Sequence, residues 1–213
     1  MKVLNLYACL GGNRLLWEDC EVTAVELDPE LARMYQERFP SDTVIVADAH
    51  QYLLDHYKEF DFIWSSPPCP THSRARFWAH GQTNPTYPSM ELYQEILFLE
   101  SHFKGKYVVE NVIPYYEPLV LSQKRGRHLY WTNFRLPTDL NDRRFAISQT
   151  KNELKELCIF HDIDLSSYKG KQSKVKIGRN LVDYQAGLTI FNTMRGIEQA
   201  NNTTQTDIFS QGA

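Results

Sequence analysis

A chain of 213 residues has room for one domain with an appendage, and it can bury a core that needs neither disulfides nor structural metal. Its 42% hydrophobic and 23% charged residues exclude wholesale disorder, and no apolar run approaches the ~18–20 residues of a membrane span. The net charge of −3 hides an asymmetry: residues 1–121 carry −8, residues 122–180 carry +7 and residues 181–213 carry −2, so a basic segment beside an acidic body points to a polyanionic partner.

The first 112 residues alternate short apolar runs with helix-like stretches. Val3 to Ala8 reads as a buried strand, followed by Gly11-Gly12 and a helical Asn13 to Trp17. Val22 to Glu26 is a second strand. Asp28-Pro29 then forms an N-cap with proline at the first helical position, opening a helix to about Phe39. Val44 to Ala47 is a third strand, with a helix from about His50 to Tyr57, and Phe60 to Ser65 is a fourth. A proline-rich irregular stretch runs from Ser66 to Pro88. Ser89 caps a helix to about Phe103, and Tyr107 to Glu110 is a fifth strand. His128 to Trp131 reads as one more. Residues 135–178 are polar, basic and poorly periodic. Arg179 to Met194 reads as a helix with one apolar face, and the tail from 195 is polar. This alternation predicts an α/β fold, a mostly parallel sheet with helices on both faces, whose ligands sit at the carboxyl ends of the strands.

Each predicted strand of the first half ends in something small or polar. Strand one ends Tyr7-Ala8-Cys9-Leu10-Gly11-Gly12, where glycines let a ligand approach the backbone. Strand two ends in Glu26, whose carboxylate can accept both hydroxyl protons of a ribose. Strand three ends in Asp48, an acceptor for an amino group on a purine. Together they describe a nucleoside-containing cofactor lying across the sheet edge. Strand four ends Ser65-Ser66-Pro67-Pro68-Cys69-Pro70, a cysteine on a turn stiffened by prolines and a candidate nucleophile. Cys9, Cys20 and Cys158 form with it neither a CxxC pair nor a zinc-ligand spacing, so no metal site is expected. Strand five ends Glu110-Asn111, a carboxylate able to protonate or hydrogen-bond a substrate held by the cysteine. Arg125 and Arg127, two apart on an extended segment, can point the same way.

The order of these elements resembles the cytosine-5 DNA methyltransferases. NLYACLGG resembles the family's DLFxGxGG motif, VELDP the second motif and ADAH the third. SSPPCPTHS resembles the catalytic PPCQxxS motif, ENV is identical to the family's ENV, QKRGR fits QxRxR, and RNLV followed by Gly187 resembles the late motif that closes the cofactor pocket. The resemblance covers about residues 1–131 and 179–190. It implies a Rossmann-like methyltransferase fold binding S-adenosyl-L-methionine, with S-adenosyl-L-homocysteine as product. Tyr7, Ala8, Leu10, Gly11, Gly12, Glu26, Leu27, Asp48, Ala49, Pro68, Asn180 and Val182 would line the cofactor site. Cys69 would attack C6 of a flipped cytosine, with Glu110 on N3 and the amine, Arg127 on O2 and Arg125 bracing the site. Ser73, Arg74, Arg76 and Asn111 would meet the substrate or order the loop around it, and Phe77 and Trp78 could fill space or stack there. In domain terms this gives a catalytic body over 1–134, a short basic insertion over 135–178 in place of a target-recognition domain, the late motif over 179–194 and a polar tail over 195–213. DNA, duplex or single-stranded, is the expected partner, the alternatives being an RNA (tRNA) cytosine-5 methyltransferase of the same fold or a non-catalytic relative that binds cofactor or a partner; a second subunit could supply recognition surface, and no membrane is involved. A reducing cytoplasm, bacterial or phage-infected, is the expected setting. The family's first glycine is Cys9 here, its phenylalanine is Tyr7, and its PCQ is Cys69-Pro70.

Overall fold

The computed structural model describes residues 1–75, 84–143, 145 and 150–197. Among them are seven strands: β1 (Lys2–Leu6), β2 (Glu21–Glu26), β3 (Thr43–Val46), β4 (Phe62–Ser65), β5 (Lys106–Val112), β6 (Gln123–Arg125) and β7 (His128–Thr132). Six α-helices accompany them: α1 (Pro29–Arg38), α2 (Ala49–His56), α3 (Glu91–His102), α4 (Glu153–His161), α5 (Lys174–Asn180) and α6 (Tyr184–Met194), with a 3-10 turn at Tyr57–Glu59. One sheet runs in the order β3-β2-β1-β4-β5-β7-β6. Neighbours from β3 to β5 are parallel, while β7 is antiparallel to both β5 and β6. This is the expected Rossmann-like methyltransferase sheet. Its order reverses between β1 and β4, which opens a crevice beyond their carboxyl ends.

Alternation along the strands builds both faces. Leu4, Leu6, Ile63, Tyr107, Val109, Leu129 and Trp131 pack against Leu53 of α2 and Leu92, Ile96 and Leu99 of α3. The intervening Val3, Phe62, Trp64, Val108 and Tyr130 pack on the other side against Trp17 and the Ala186, Ile190 and Phe191 of α6. Asp28 caps α1 through the amides of Glu30 and Leu31, with Pro29 at the first helical position. A buried Arg14–Asp42 pair, joined by the Tyr35 hydroxyl at 2.9 Å, ties the segment after β1 to the end of α1. No helix among the described residues is long and apolar enough to cross a membrane.

Three expectations change. Asn13 to Trp17 is a run of turns, closed by Arg14 N–H to Gly11 O and Trp17 N–H to Arg14 O. The Asn13 amide is exchanged with that of Asn5, and α6 packs directly on the Asn13 backbone, so tertiary contacts override the local pattern. The predicted helix from Arg179 to Met194 is two, α5 and α6, broken by extended backbone at Leu181 and Asp183; Asp183 then caps α6 through Gln185 N–H. The stretch 135–178 is aperiodic in sequence, yet it holds α4 and most of α5 around a small core shared with α1. Leu157, Leu165, Tyr168, Ile177 and Leu181 pack there against Leu31 and Met34 of α1. The segment is therefore built onto the body beside α1. The tail beyond residue 197 lies outside the described residues, as do Arg76, Phe77 and Trp78.

Candidate active site

A cavity of about 1240 Å³ lies beyond the carboxyl ends of β1, β2, β4 and β5. Its walls include Tyr7, Cys9, Glu26, Leu27, Asp48, Ala49, Pro68, Cys69, Glu110, Asn111, His128, Asn180 and Val182. The body contributes carboxylates. The basic segment contributes Lys169, Lys171 and Lys176.

At one end, the chain leaving β1 coils over Glu26. Tyr7 and Cys9 both sit in the left-handed region, at φ 56° and 48°. Each costs of order 1–2 kcal/mol for a residue with a Cβ. Cys9 stands where the family motif has its first glycine, so the turn keeps the glycine-like backbone with a side chain that resists it. Glu26 holds the turn in place: one carboxylate oxygen accepts Cys9 N–H at 2.8 Å and the other accepts Asp28 N–H at 2.9 Å. Burial pushes the Glu26 carboxyl above its ordinary range, with the backbone amides pulling the other way. Burial and the Glu26 charge push the Cys9 thiol up to about 12, which keeps it protonated. Leu27, 66% exposed, offers an apolar surface between Glu26 and Asp28. Asp48 lines the cavity and also caps α2 through Gln51 N–H at 2.9 Å.

Not every residue expected at the cofactor end reaches the cavity. Ala8 and Leu10 are buried in the core, and Gly11 and Gly12 are absent from the cavity wall. The glycines serve packing. A Cβ on Gly11, at φ 66°, would meet Phe39 at 2.5 Å, and one on Gly12 would meet the Val182 carbonyl at 2.4 Å. The close approach they allow is therefore that of α1 and the late segment, which brings Asn180 and Val182 to the wall.

At the other end, Cys69 lies on the turn after β4. Its carbonyl accepts the amides of His72 and Ser73, and the buried Asn111 donates its side-chain N–H to Pro67 O at 2.9 Å. Asn111 thus anchors the turn from β5. Burial first, and then the Glu110 carboxylate, push the Cys69 thiol above its ordinary value, while Lys176 draws it down. Glu110 is buried, and its Oε1 lies 3.5 Å from His128 Nε2. Neither Ser73 nor Arg74 lines the cavity: the Ser73 hydroxyl accepts Ala75 N–H at 3.2 Å, and Arg74 donates to the Pro114 carbonyl at 3.3 Å.

The two arginines do not share a face. Gly126 turns the chain at φ 52° between β6 and β7, ending the extended run on which a shared direction depended. Arg125 donates to the carbonyls of Lys124, Leu136 and Pro137, and Arg127 is exposed in the turn. Neither lines the cavity.

Two groups escaped the sequence reading. Glu95, 1% exposed, accepts the Tyr7 hydroxyl and the Ser65 hydroxyl at 2.5 Å each and sits 3.0 Å from His50 Nδ1. It raises both the Tyr7 hydroxyl and the His50 imidazole above their ordinary values, burial being the larger cause for Tyr7. The signal was present: in ELYQEILFLE, position 95 falls on the face made by Leu92, Ile96 and Leu99, where a carboxylate needs partners. The hydroxyl on Tyr7, where the family has phenylalanine, is one of those partners. His128 had no such signal. It starts an antiparallel strand, and that orientation carries it to the ligand edge.

The model of one family, the C-5 cytosine-specific DNA methylases, matches residues 1–113. No curated protein matches. Similar solved structures include a triple mutant of DNMT2 from Spodoptera frugiperda, at 24% identity over 52% of this chain and 35% of that one, TM-score 0.38. A hypothetical protein from Thermus thermophilus matches at 21% identity over 62% and 73%, TM-score 0.41. A prophage-encoded Escherichia coli protein described as a DNA modification methyltransferase matches at 18% over 55% and 33%, TM-score 0.38. This chain thus spans about a third of the length of the first and third of these. With its matched segment covering more than half of the chain, from β1 through β5 and with it the Cys69 turn and Glu110, the chain belongs to the C-5 cytosine-specific DNA methylase family.

Proposed function

We propose that this chain methylates C5 of cytosine in DNA, using S-adenosyl-L-methionine and Cys69 as a covalent nucleophile. The observation that carries the reading is the shared cavity: a cysteine turn and a buried carboxylate at one end, two carboxylates and an apolar side chain at the other. The donor set at the second end fits the cofactor. Glu26 and Asp48 offer acceptors to hydroxyl and amino groups, Leu27 and Pro68 offer flat apolar contact, and Asn180 and Val182 close the wall. When bound, the cofactor supplies an electrophilic methyl group and leaves as S-adenosyl-L-homocysteine.

The chain's own residues do the rest. The target base leaves its stack, at a cost of a few kcal/mol, because Cys69 lies inside the cavity. Glu110 accepts the exocyclic amino group with one oxygen, and the proton given up by the Cys69 thiol is shared between its other oxygen and N3, which draws electron density away from C6. That proton also neutralises the carboxylate that holds the thiol up, so a base bound at Glu110 favours the Cys69 thiolate, with Lys176 acting in the same direction. The Sγ–C6 bond then forms and C5 becomes nucleophilic. After C5 takes the methyl group and gives its proton to water, the Sγ–C6 bond breaks and Cys69 is regenerated. Asn111 holds the turn through Pro67 while this happens.

The test is tritiated methyl transfer to duplex DNA, single-stranded DNA and tRNA in parallel. Transfer to DNA that Cys69→Ala abolishes, with cofactor binding retained, supports the reading. DNA containing 5-fluorocytosine should trap the wild type covalently, since fluorine cannot leave as a proton. Normal turnover by Cys69→Ala sinks the mechanism, and transfer to tRNA alone reassigns the substrate.

A further inference from the structure

We propose that Glu95 is a positioning residue, a buried strut that ties the turn after β1 to the cysteine turn after β4 and so sets the two ends of the cavity against each other; the inference rests on the methyl-transfer reading of that cavity. Transfer from a bound cofactor to a base held at Cys69 needs both ends in register, because reacting atoms must approach to about 3–3.5 Å. The paired register of β1 and β4 ends at Leu6 opposite Ser65. Beyond it Tyr7 enters a left-handed turn at φ 56°, while Ser65 leads through Pro67 and Pro68 to Cys69. Each turn has an anchor on its outer flank: Glu26 holds the first through Cys9 N–H, and Asn111 holds the second through Pro67 O. Those anchors come from β2 and β5, on opposite sides of the β1–β4 pair, so neither fixes one turn relative to the other.

Glu95 touches both. Its Oε1 accepts the Tyr7 hydroxyl and its Oε2 accepts the Ser65 hydroxyl, each at 2.5 Å. His50 Nδ1, 3.0 Å from Oε1, adds α2, the helix that Asp48 caps. Three elements that carry the site therefore meet on one carboxylate. The strut has a firm base, since α3 is seated on the sheet by Leu92, Ile96 and Leu99. The Glu95 side chain is itself completely buried. A carboxylate in that place costs burial energy that an apolar residue would not, so packing alone does not account for it. Hydrogen bonds to a buried charge are short and directional, which suits them to fixing a position. Tyr7 lines the cavity, whereas Glu95 and Ser65 do not, so the strut meets neither ligand. The charges that set the Cys69 thiol are those of Glu110 and Lys176, so Glu95 acts on geometry and not on the acidity of the nucleophile.

The experiment compares the wild-type full chain with Glu95→Gln, Tyr7→Phe, Ser65→Ala, the Tyr7→Phe/Ser65→Ala double variant, and a triple variant that adds Glu95→Leu to that double. It reads kcat on cytosine-containing DNA at saturating S-adenosyl-L-methionine, cofactor affinity by calorimetry, thermal unfolding, and amide exchange over residues 7–12 and 69–73. Glu95→Gln should lower kcat by about tenfold to a hundredfold, the scale of a misplacement of about 1 Å, with the cofactor dissociation constant within about threefold of wild type. Exchange should quicken in both turns. If Glu95→Gln does not fold, the same split between kcat and affinity is read on Ser65→Ala. Because both hydroxyls act through one carboxylate, the double variant should lose no more than about twofold beyond the worse single variant. The triple variant removes the buried charge together with its two hydroxyl partners, and His50, a third exposed, can turn to solvent. It should regain the unfolding temperature but not kcat; a merely structural residue would regain both. A Glu95→Gln enzyme with kcat within twofold of wild type, single losses that multiply in the double variant, or a triple variant that recovers kcat overturns this inference and leaves the C5 reading standing. If the wild type methylates none of the three nucleic acids, the C5 reading falls, and exchange alone decides on the strut: quickening in both turns upholds it, and quickening in one or neither overturns it.

Discussion

Glu26 is where the structural and the ligand readings of one carboxylate can be separated. In the folded chain its two oxygens accept Cys9 N–H at 2.8 Å and Asp28 N–H at 2.9 Å. In Glu26→Gln one position becomes an NH2 group that faces a backbone N–H. One hydrogen bond to a charged acceptor is lost, worth about 1.5–3 kcal/mol, and a buried amide is left unsatisfied. The burial cost of the carboxylate is relieved at the same time, which offsets part of that loss. The expected net destabilisation is about 1–3 kcal/mol, read as a lower urea midpoint at unchanged slope. Cofactor binding adds a second, independent readout. If Glu26 also accepts the ribose hydroxyls, calorimetric titration well below the unfolding midpoint should show a dissociation constant raised at least about tenfold, since ~1.4 kcal/mol is a factor of ten. A lower midpoint with unchanged affinity would make Glu26 a scaffold for the turn alone. An unchanged midpoint would refute the hydrogen-bond argument itself.

Reactivity of Cys69 should depend on pH in a direction set by its neighbours. The thiol lies above its ordinary value, so alkylation of the free protein by iodoacetamide should be slow at neutral pH and rise as the pH climbs through and beyond the usual thiol range. Glu110→Gln should move that profile to lower pH and Lys176→Met to higher pH, as followed on the Cys69 peptide by mass spectrometry; shifts of the opposite sign would contradict the electrostatics. Gly187→Ala should destabilise by about 1–3 kcal/mol in urea unfolding, because the added Cβ would lie 2.3 Å from the Asn13 carbonyl oxygen and 2.7 Å from its Cα, backbone that cannot swing aside. A neutral result would mean that α6 is not seated on the turn after β1. If Lys171 on the cavity wall neutralises one phosphate of duplex DNA, Lys171→Ala should reduce the slope of log affinity against log salt by about 0.9; an unchanged slope would remove it from the interface.

What could be read before any coordinates follows from local physics. Strands four to seven residues long with alternating or continuous apolar side chains announced the sheet. Asp28-Pro29 announced the start of α1, since a capping carboxylate and a fixed proline φ act within a few residues. The polar residues placed at strand ends, Glu26, Asp48, Cys69 and Glu110, converge on one cavity because parallel strands align their carboxyl ends. The basic stretch 135–178 was harder to read. Its apolar residues are spread among lysines and turns, and they form a core only against Leu31 and Met34 of α1, more than a hundred positions earlier in the chain.

Hydrophobic period, capping and the order of strand-end residues are properties of short windows, and they determined the fold class and the carboxyl-edge location of the cavity. Side-chain direction beyond those windows was decided by tertiary contacts. Whether Gly12 faces a ligand or the carbonyl of Val182 depends on a segment 170 residues away. Arg125 turns from the cavity because carbonyls of Leu136 and Pro137 take its guanidinium. His128 enters the cavity because β7 runs antiparallel to β5, so its first residue, not its last, lies at the edge where the parallel strands end. Strand direction is a matter of pairing between distant segments, and no window of sequence around His128 contains it.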